Sequence, residues 1–322
     1  MIDLHMHTYF SDGTDTEIEI LKNAQAKNLS IISITDHNTT KVYEALENVE
    51  INNYYNGHII PGIELNTKAL KVPIEILGYG IDYKKMNELV KKLYIPAEER
   101  NKIECERLYK KCIDIGIKLE KDCLSRYDGK AFTSKFIQEE IKKFSENESI
   151  IPSKFLNDTK TFYRMYMSNP EGPLYVEMDD FVPEFDEAAN LVRECGGLVF
   201  IPHIFEYREN SEKILDYILK TYKIDGIECF YTTFTKEQSE RLIELCKDRN
   251  LYMSGGSDYH GKAKPNVGLG VGFGEMSIEE SIMDEWKNKV VYYLCRYDTD
   301  DNWRNFWVCT QKVEGTRILI KK

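Results

Sequence analysis

Histidines and carboxylates recur at the ends of short apolar segments in this sequence. Five of the six histidines occupy such positions: His5, His7, His37, His203 and His260. His5 and His7 are two residues apart, so on a strand their side chains project from one face and can bind the same cation. Asp258 and His260 repeat this spacing near the end of a later segment. Together these residues predict a metal centre.

The apolar segments alternate with amphipathic stretches, a pattern typical of repeated strand and helix units around a parallel sheet. Strands are predicted at IDLHMHT, SIISITDH, HIIPGIELN, PIEILGYG, GLVFIPHI, DGIECFY and LYMSGGSDYH. Helices are predicted near residues 17–28 and 40–50, at EKILDYILKTYK and at KEQSERLIELCKDRN. In α/β barrels the carboxyl ends of the strands converge, so residues far apart in the sequence can meet there.

Two further regions are distinct from this pattern. Between about residue 88 and residue 182 the sequence is rich in lysine and glutamate with helical periodicity. We predict a helical insertion there, acting either as a lid or as a stabilising subdomain. The last segment contains VVYYLCRY, FWVCTQ and RILIKK, which are predicted as strands, and a polar turn around DTDDN. The role of that segment stays open.

The composition excludes several classes of partner. The net charge of −11 and the absence of a dense run of lysine and arginine argue against duplex DNA. No segment approaches the roughly 20 apolar residues of a membrane span, and MIDLHMHTYF is not typical of a signal peptide. We therefore expect no membrane partner and a cytoplasmic location. The eight cysteines have no CxxC pair and are predicted to be buried free thiols.

The segments HMHTYFSDGTDTEIEI, SITDHNTT, IPGIELNT, ILGYGID, GLVFIPHI, GIECFY and GGSDYHG together resemble the polymerase and histidinol phosphatase (PHP) family of metal-dependent phosphoesterases. The insertion resembles, more weakly, the cap of a small bacterial branch that includes nucleotide phosphatases and a 5′-directed RNA exonuclease. The resemblance implies a distorted (β/α)7 TIM-like barrel formed by residues 1–87 and 183–275. It also implies a helical cap at 88–182 and a C-terminal extension at 276–322.

The resemblance further implies two to three divalent metal ions at the mouth of the barrel. Carried over by position, the ligands are His5, His7, Glu64 and Asp258 for the first metal, Glu64 and His203 for the second, and Asp12, His37 and His260 for the third. Nitrogen and carboxylate ligands without thiolate suit manganese, zinc or iron.

This chain departs from the family pattern at three positions. Glu75 replaces a histidine ligand of the second metal, and its harder carboxylate favours manganese or iron over zinc. Ser134 and Phe136 replace an arginine and a histidine that hold substrate phosphate in relatives. We expect Lys130 or Lys135 to substitute for that pair, although lysine lacks the bidentate fork of arginine.

The implied function is hydrolysis of a small phosphorylated molecule, such as a nucleotide, by attack of a hydroxide that bridges two metals. Asp12, Glu64 and Asp258 are the implied catalytic residues, and Asp12 or a metal-bound water serves as the acid. The third metal or a cationic residue such as Arg100 neutralises the remaining phosphate charge. Two alternatives stay open. One is exonuclease action on short RNA ends, and the other is a non-catalytic, metal-binding regulatory module.

Overall fold

The structure is a computed structural model that describes residues 1–169 and 171–293. The chain divides into two compact units. The first unit comprises Met1–Lys92 together with the chain from Pro183 onward, and the second unit is Leu93–Val182.

The first unit contains all eight described strands. They are β1 (Ile2–Asp3), β2 (Ile31–Ile32), β3 (His58–Ile59), β4 (Gly62–Ala69), β5 (Val72–Tyr79), β6 (Leu198–Ile201), β7 (Gly226–Tyr231) and β8 (Tyr252–Gly256). The described α-helices are α1 (Glu17–Ala26), α2 (Lys41–Leu46), α3 (Tyr83–Leu93), α4 (Ala97–Asp114), α5 (Cys123–Arg126), α6 (Thr133–Lys142), α7 (Ser153–Leu156), α8 (Thr159–Phe162), α9 (Phe185–Glu194), α10 (Ser211–Thr221) and α11 (Lys236–Arg249). Short 3₁₀ helices lie at Ile51–Asn53, Ser145–Ser149, Asp179–Phe181, Ile204–Asn210, Gly261–Ala263 and Glu280–Met283, and a π-helix at Tyr163–Met167.

Strands β1, β2 and β3 form a parallel sheet in that order. The crossover from β1 to β2 contains α1, which begins at a capping box in which Thr16 and Glu19 each satisfy the other's backbone amide. Helix α1 buries Ile20, Leu21 and Ala24. The strand and helix units predicted for this region are confirmed.

The other five strands form a second sheet in the order β4, β5, β6, β7, β8. The prediction of a parallel sheet is wrong at its first two pairings, since β4 pairs antiparallel with β5 and β5 antiparallel with β6. Only Leu70 and Lys71 separate β4 from β5, and both have positive φ, at 54° and 62°. Two such residues close a tight hairpin, whereas a parallel connection needs about a dozen residues or more.

Single parallel bridges join the segments that follow β1 and β2 of the first sheet to the two outer sides of the second sheet, beyond β8 and at β4. Met6 pairs with Tyr259 on one side and His37 pairs with Glu64 on the other. The mixed α/β class is therefore confirmed. The described strands form two sheets, not one continuous hydrogen-bonded ring.

Residues that follow position 275 contribute to the core of the first unit. Trp286 is fully buried, stacks on Tyr79 with ring centroids 5.7 Å apart, and donates from Nε1 to the carbonyl of Met253. The predicted strand VVYYLCRY is wrong over residues 290–293, which have no strand in the described structure, although the amide of Tyr293 donates to the carbonyl of Ile59. The rest of that prediction, FWVCTQ and RILIKK included, lies outside the described residues.

The second unit contains helices α4 to α8, so the helices predicted from the periodicity of this segment are confirmed. Its core contains three buried cysteines, Cys105, Cys112 and Cys123. All six cysteines in the described ranges are free and buried, as predicted, and Cys295 and Cys309 lie outside those ranges. None of the described helices has the length and apolar character needed to cross a membrane.

Candidate metal centre

The histidine pair lies directly beyond β1, beside the segment that follows β8. The amide of Asp258 donates to the carbonyl of His5, and the amide of His7 donates to the carbonyl of Tyr259, both at 2.8 Å. Glycine at position 256 permits this approach, because a Cβ there would lie 2.4 Å from both the amide nitrogen and the Cβ of His5. Backbone pairing thus places the proposed ligands from the two ends of the first unit side by side.

Glu64 lies at the centre of the histidines and is buried. Its Oε2 lies 3.2 Å from Nε2 of His5, 3.2 Å from Nε2 of His7 and 3.4 Å from Nδ1 of His37. Its Oε1 lies 2.9 Å from Nε2 of His203. One carboxylate is therefore shared by four imidazoles.

Asp258 contacts the same cluster from the other side. Its Oδ1 lies 3.2 Å from Nε2 of His7, 3.6 Å from Nε2 of His5 and 3.4 Å from Nδ1 of His260. The backbone of Asp258 has a φ of 55°, in the left-handed region that Asp tolerates better than most residues. This local conformation turns the chain so that Asp258 and His260 both reach the site.

Asp12 lies at the rim, where its side chain is 55% exposed. Its Oδ2 lies 3.2 Å from Nε2 of His260 and 3.8 Å from Nε2 of His37, and its Oδ1 lies 3.6 Å from Nδ1 of His7. The SDG motif thus meets the segment that follows β8.

Glu75 reaches the cluster from β5. Its Oε2 lies 3.5 Å from Nε2 of His203, and its Oε1 lies 3.9 Å from Nδ1 of His37. Its backbone amide donates to the hydroxyl of Tyr207 at 3.0 Å. The residue that replaces a family histidine is therefore oriented towards the other candidate ligands.

Three overlapping groups of side chains have ligand atoms within 4.8 Å of one another and could each hold a metal ion. They are His7, Asp12, His37 and His260; His5, His7 and Glu64; and His37, Glu64 and Glu75. Nε2 of His7 and Nδ1 of His37 are buried, and although carboxylate oxygens lie 3.2 to 3.4 Å away, neither nitrogen makes a hydrogen bond of good geometry within the described structure. Buried polar atoms without partners are costly, and a cation would satisfy both nitrogens. The donor set therefore fits divalent metals.

Comparison with known proteins agrees with this geometry. Residues 3–151 match the family profile described as PHP domain. Within residues 3–151 the chain is therefore similar to the PHP family. Similar proteins include a 5′-3′ exoribonuclease from Haemophilus influenzae, 26% identical over 80% of this chain and 89% of its own length. A phosphoribosyl 1,2-cyclic phosphate 1,2-diphosphodiesterase from Eggerthella lenta is 27% identical over 84% of this chain and 98% of its own.

Another relative is a 3′,5′-nucleoside bisphosphate phosphatase from Chromobacterium violaceum, 23% identical over 80% of this chain and 87% of its own. Among solved structures, a Bifidobacterium adolescentis protein described as a candidate metal-dependent phosphoesterase has a TM-score of 0.60 and 23% identity, with 90% of this chain and 96% of that chain covered. An amidohydrolase from Chromobacterium violaceum, solved with sulfate and no metal, has a TM-score of 0.55 and 22% identity, covering 84% and 89%. These structures support the fold.

The electrostatics of the candidate metal centre keep its central carboxylates ionised. Burial raises the pKa of Glu64 and of Asp258, but the surrounding histidines, His5 foremost, outweigh burial and hold both pKa values well below normal. Conversely, burial lowers the pKa of His7 and of His203, but the carboxylates outweigh it and raise both pKa values to about 9. In the metal-free protein, protons on these imidazoles therefore balance the carboxylate charge.

Manganese binding at about neutral pH is expected to release about three protons per fully loaded chain, because metal displaces protons of His5, His7 and His203, whose pKa values all lie above the usual range. The affinity should rise with pH through the pKa values of His7 and His203, which are about 9. Calorimetric titration in two buffers with different ionisation enthalpies measures the released protons. Equal heats in both buffers would contradict the prediction.

Sequence reasoning missed Glu228, which contacts the imidazole of His5, a proposed ligand of the first metal. Glu228 is fully buried, its Oε1 lies 3.0 Å from Nδ1 of His5, and its Oε2 accepts the backbone amide of His203 at 2.8 Å. The tripeptide GIE occurs at residues 62–64 and again at 226–228, a repeat that could have pointed to this second carboxylate. Glu228 holds the imidazole of His5 with Nε2 towards Glu64.

The cations predicted to bind phosphate lie in the second unit. Arg100 is exposed on α4, Lys130 is exposed before α6, and Lys135 is exposed on α6. Phe136 instead packs its ring on Tyr127, with centroids 4.6 Å apart, and lies partly buried against the core of that unit. The role of the three cations in binding substrate stays a prediction.

Proposed function

We propose that this chain is a metal-dependent phosphoester hydrolase that acts on a small phosphorylated molecule, such as a nucleotide. The observation that carries the proposal is the set of three overlapping ligand groups around Glu64, which open onto a cavity of about 240 Å³. This volume is close to the lower end for small-molecule sites, so the cavity suits the reacting phosphoryl end of a substrate.

In this proposal three metals are held by the residues that sequence comparison assigned. His5, His7, Glu64 and Asp258 hold the first metal, Glu64, Glu75 and His203 the second, and Asp12, His37 and His260 the third. The contacts described above support each set. When bound, divalent cations lower the pKa of a coordinated water and neutralise phosphoryl oxygens during in-line displacement.

The charge of the cavity explains why a phosphate substrate requires these cations. Five carboxylates line the cavity: Asp12, Glu64, Glu75, Glu206 and Asp258. They would repel an anionic substrate, whereas bound cations reverse the local field. Glu64 and Asp258 remain ionised because their pKa values are low, so they act as ligands and as fixed negative charges.

The low pKa of Asp12 suits the role of a metal ligand better than the role of a general acid. Burial raises its pKa, but His260, His37 and His7 outweigh burial and hold the pKa well below normal. A carboxyl that is ionised at neutral pH has no proton to donate to a leaving group. We therefore propose that Asp12 binds the third metal at the rim, and that the leaving group takes its proton from water.

We also propose that the two sheets are parts of the distorted (β/α)7 barrel that the family resemblance implied. The bridges Met6–Tyr259 and His37–Glu64 support this arrangement, because they link the first sheet to both outer sides of the second sheet. The likeness to the two solved structures supports it as well.

A second candidate function is 5′-directed exonuclease action on short RNA ends. It is favoured by relatives named 5′-3′ exoribonuclease, from Haemophilus influenzae and from Salmonella typhimurium. The net charge of −11 disfavours long RNA, because few backbone phosphates can be neutralised.

Purified protein, stripped with chelator and reloaded with manganese, tests these functions. It would be assayed for phosphate release or bond cleavage with a nucleoside 3′,5′-bisphosphate, a cyclic ribose phosphodiester and a short 5′-phosphorylated RNA. We expect metal-dependent turnover of at least one of them. Turnover no higher than that of a His5→Ala/His7→Ala variant would contradict the hydrolase. Full metal loading without turnover would indicate the regulatory module.

A further inference from the structure

Lys264 lies in the turn that follows β8, directly after the 3₁₀ helix Gly261–Ala263. Its side chain lines the cavity of the metal centre, and its Nζ contacts Oδ2 of Asp258. No catalytic or binding role follows for it from the ligand sets described above.

The two carboxylate oxygens of Asp258 have separate partners. Oδ1 faces the imidazoles of His5, His7 and His260, whereas Oδ2 accepts from the hydroxyl of Tyr231 at 2.7 Å and from Lys264. Lys264 therefore does not compete for the oxygen that faces the metal ligands. Tyr231 would still hold Asp258 in place without Lys264.

Lys264 also differs in residue type from the rest of the described cavity wall. The other lining residues are carboxylates, histidines and tyrosines, so within the described residues Lys264 is the only lysine or arginine there. Its side chain is 41% exposed. An ammonium has three donors, and the contact with Asp258 uses one of them.

We propose that Lys264 is a substrate-binding residue that donates to a phosphoryl oxygen of the substrate at the metal centre. The inference rests on the proposed function and deepens it, since it gives the phosphate a cationic ligand within the first unit. In this proposal the ammonium of Lys264 lies beside the phosphoryl group, while Oδ1 of Asp258 is free to bind the metal. It acts as a point charge, so it suits an anionic oxygen without demanding one orientation.

The test compares Lys264→Met with Lys262→Met. Lys262 offers the same loss of charge in the same turn, is exposed, and lines a different cavity beside Lys22 and Tyr259. For Lys264→Met we expect KM to rise about ten-fold or more, because a charge-assisted hydrogen bond to phosphate is lost. Metal content should stay at the wild-type level, and Lys264→Arg should recover part of the loss. Lys262→Met should keep the wild-type KM.

A second readout does not depend on turnover. Inorganic phosphate would be titrated into the manganese-loaded proteins, and its Kd should rise about ten-fold for Lys264→Met alone. If the wild type hydrolyses nothing, the proposed function fails, and the phosphate titration still decides the role of Lys264. Unchanged KM and unchanged phosphate affinity in Lys264→Met would overturn the inference. Loss of metal from that variant would also overturn it, because Lys264 would then act through Asp258.

Discussion

Replacing Glu64 with glutamine is expected to reduce the rate of phosphoester hydrolysis by about 10³-fold or more. Glu64 lies within 3.4 Å of nitrogens from His5, His7, His37 and His203. Glutamine keeps the volume but removes the buried negative charge that two proposed metals share. Its amide group also places a donor where a cation should bind, so the variant should hold fewer metal ions.

The measurement is kcat at saturating manganese, together with metal content after gel filtration. Glu206→Gln is a matched control, since Glu206 lines the same cavity and its carboxylate accepts from Thr233. Glu206→Gln also replaces a carboxylate with an amide, but at a side chain outside the histidine cluster. Its kcat should remain within a few-fold of the wild-type value. A Glu64→Gln protein with full metal content and nearly normal kcat would refute the shared-ligand assignment.

Replacing Glu228 with glutamine is expected to weaken manganese binding by about 10- to 100-fold. The carboxylate of Glu228 accepts from Nδ1 of His5, which keeps the proton on that nitrogen and leaves Nε2 available to a metal. It also accepts the amide of His203, so one buried group orients two proposed ligands. Glutamine has one acceptor oxygen, so one of these contacts is lost.

Glu228 acts through His5, so it is a positioning residue and its effect should depend on metal concentration. Activity measured against increasing manganese should show a displaced midpoint and a kcat that recovers at high metal. Circular dichroism would verify that the variant is folded. A variant with wild-type manganese affinity, or one with reduced kcat that excess metal does not restore, would contradict the positioning role.

The residues around the metal centre could be predicted because local spacing and strand ends identify them. His5, His7, Asp258 and His260 occur in pairs two residues apart, beside short apolar segments. Such segments form strands whose ends converge in an α/β fold, so the cluster follows from the order of the elements.

Other features depend on tertiary contacts that the sequence does not display. The β4–β5 hairpin turns at Leu70 and Lys71, which lack the asparagine or glycine that usually marks two residues of positive φ. Glu228 is a single carboxylate in an apolar strand. Its contact with His5 could not be predicted, because it depends on where β7 lies in the folded chain. Lys264 is one of two lysines in GKAK and resembles a solvated surface residue until its contact with Asp258 is known.

The metal centre is tested most directly by anomalous diffraction from crystals of the manganese-loaded protein, recorded on both sides of the manganese absorption edge. We expect two or three anomalous peaks around Glu64, within coordination distance of His5, His7, His37, His203 and His260. Absence of such peaks from fully loaded crystals, or peaks confined to other parts of the chain, would contradict the assignment of this site.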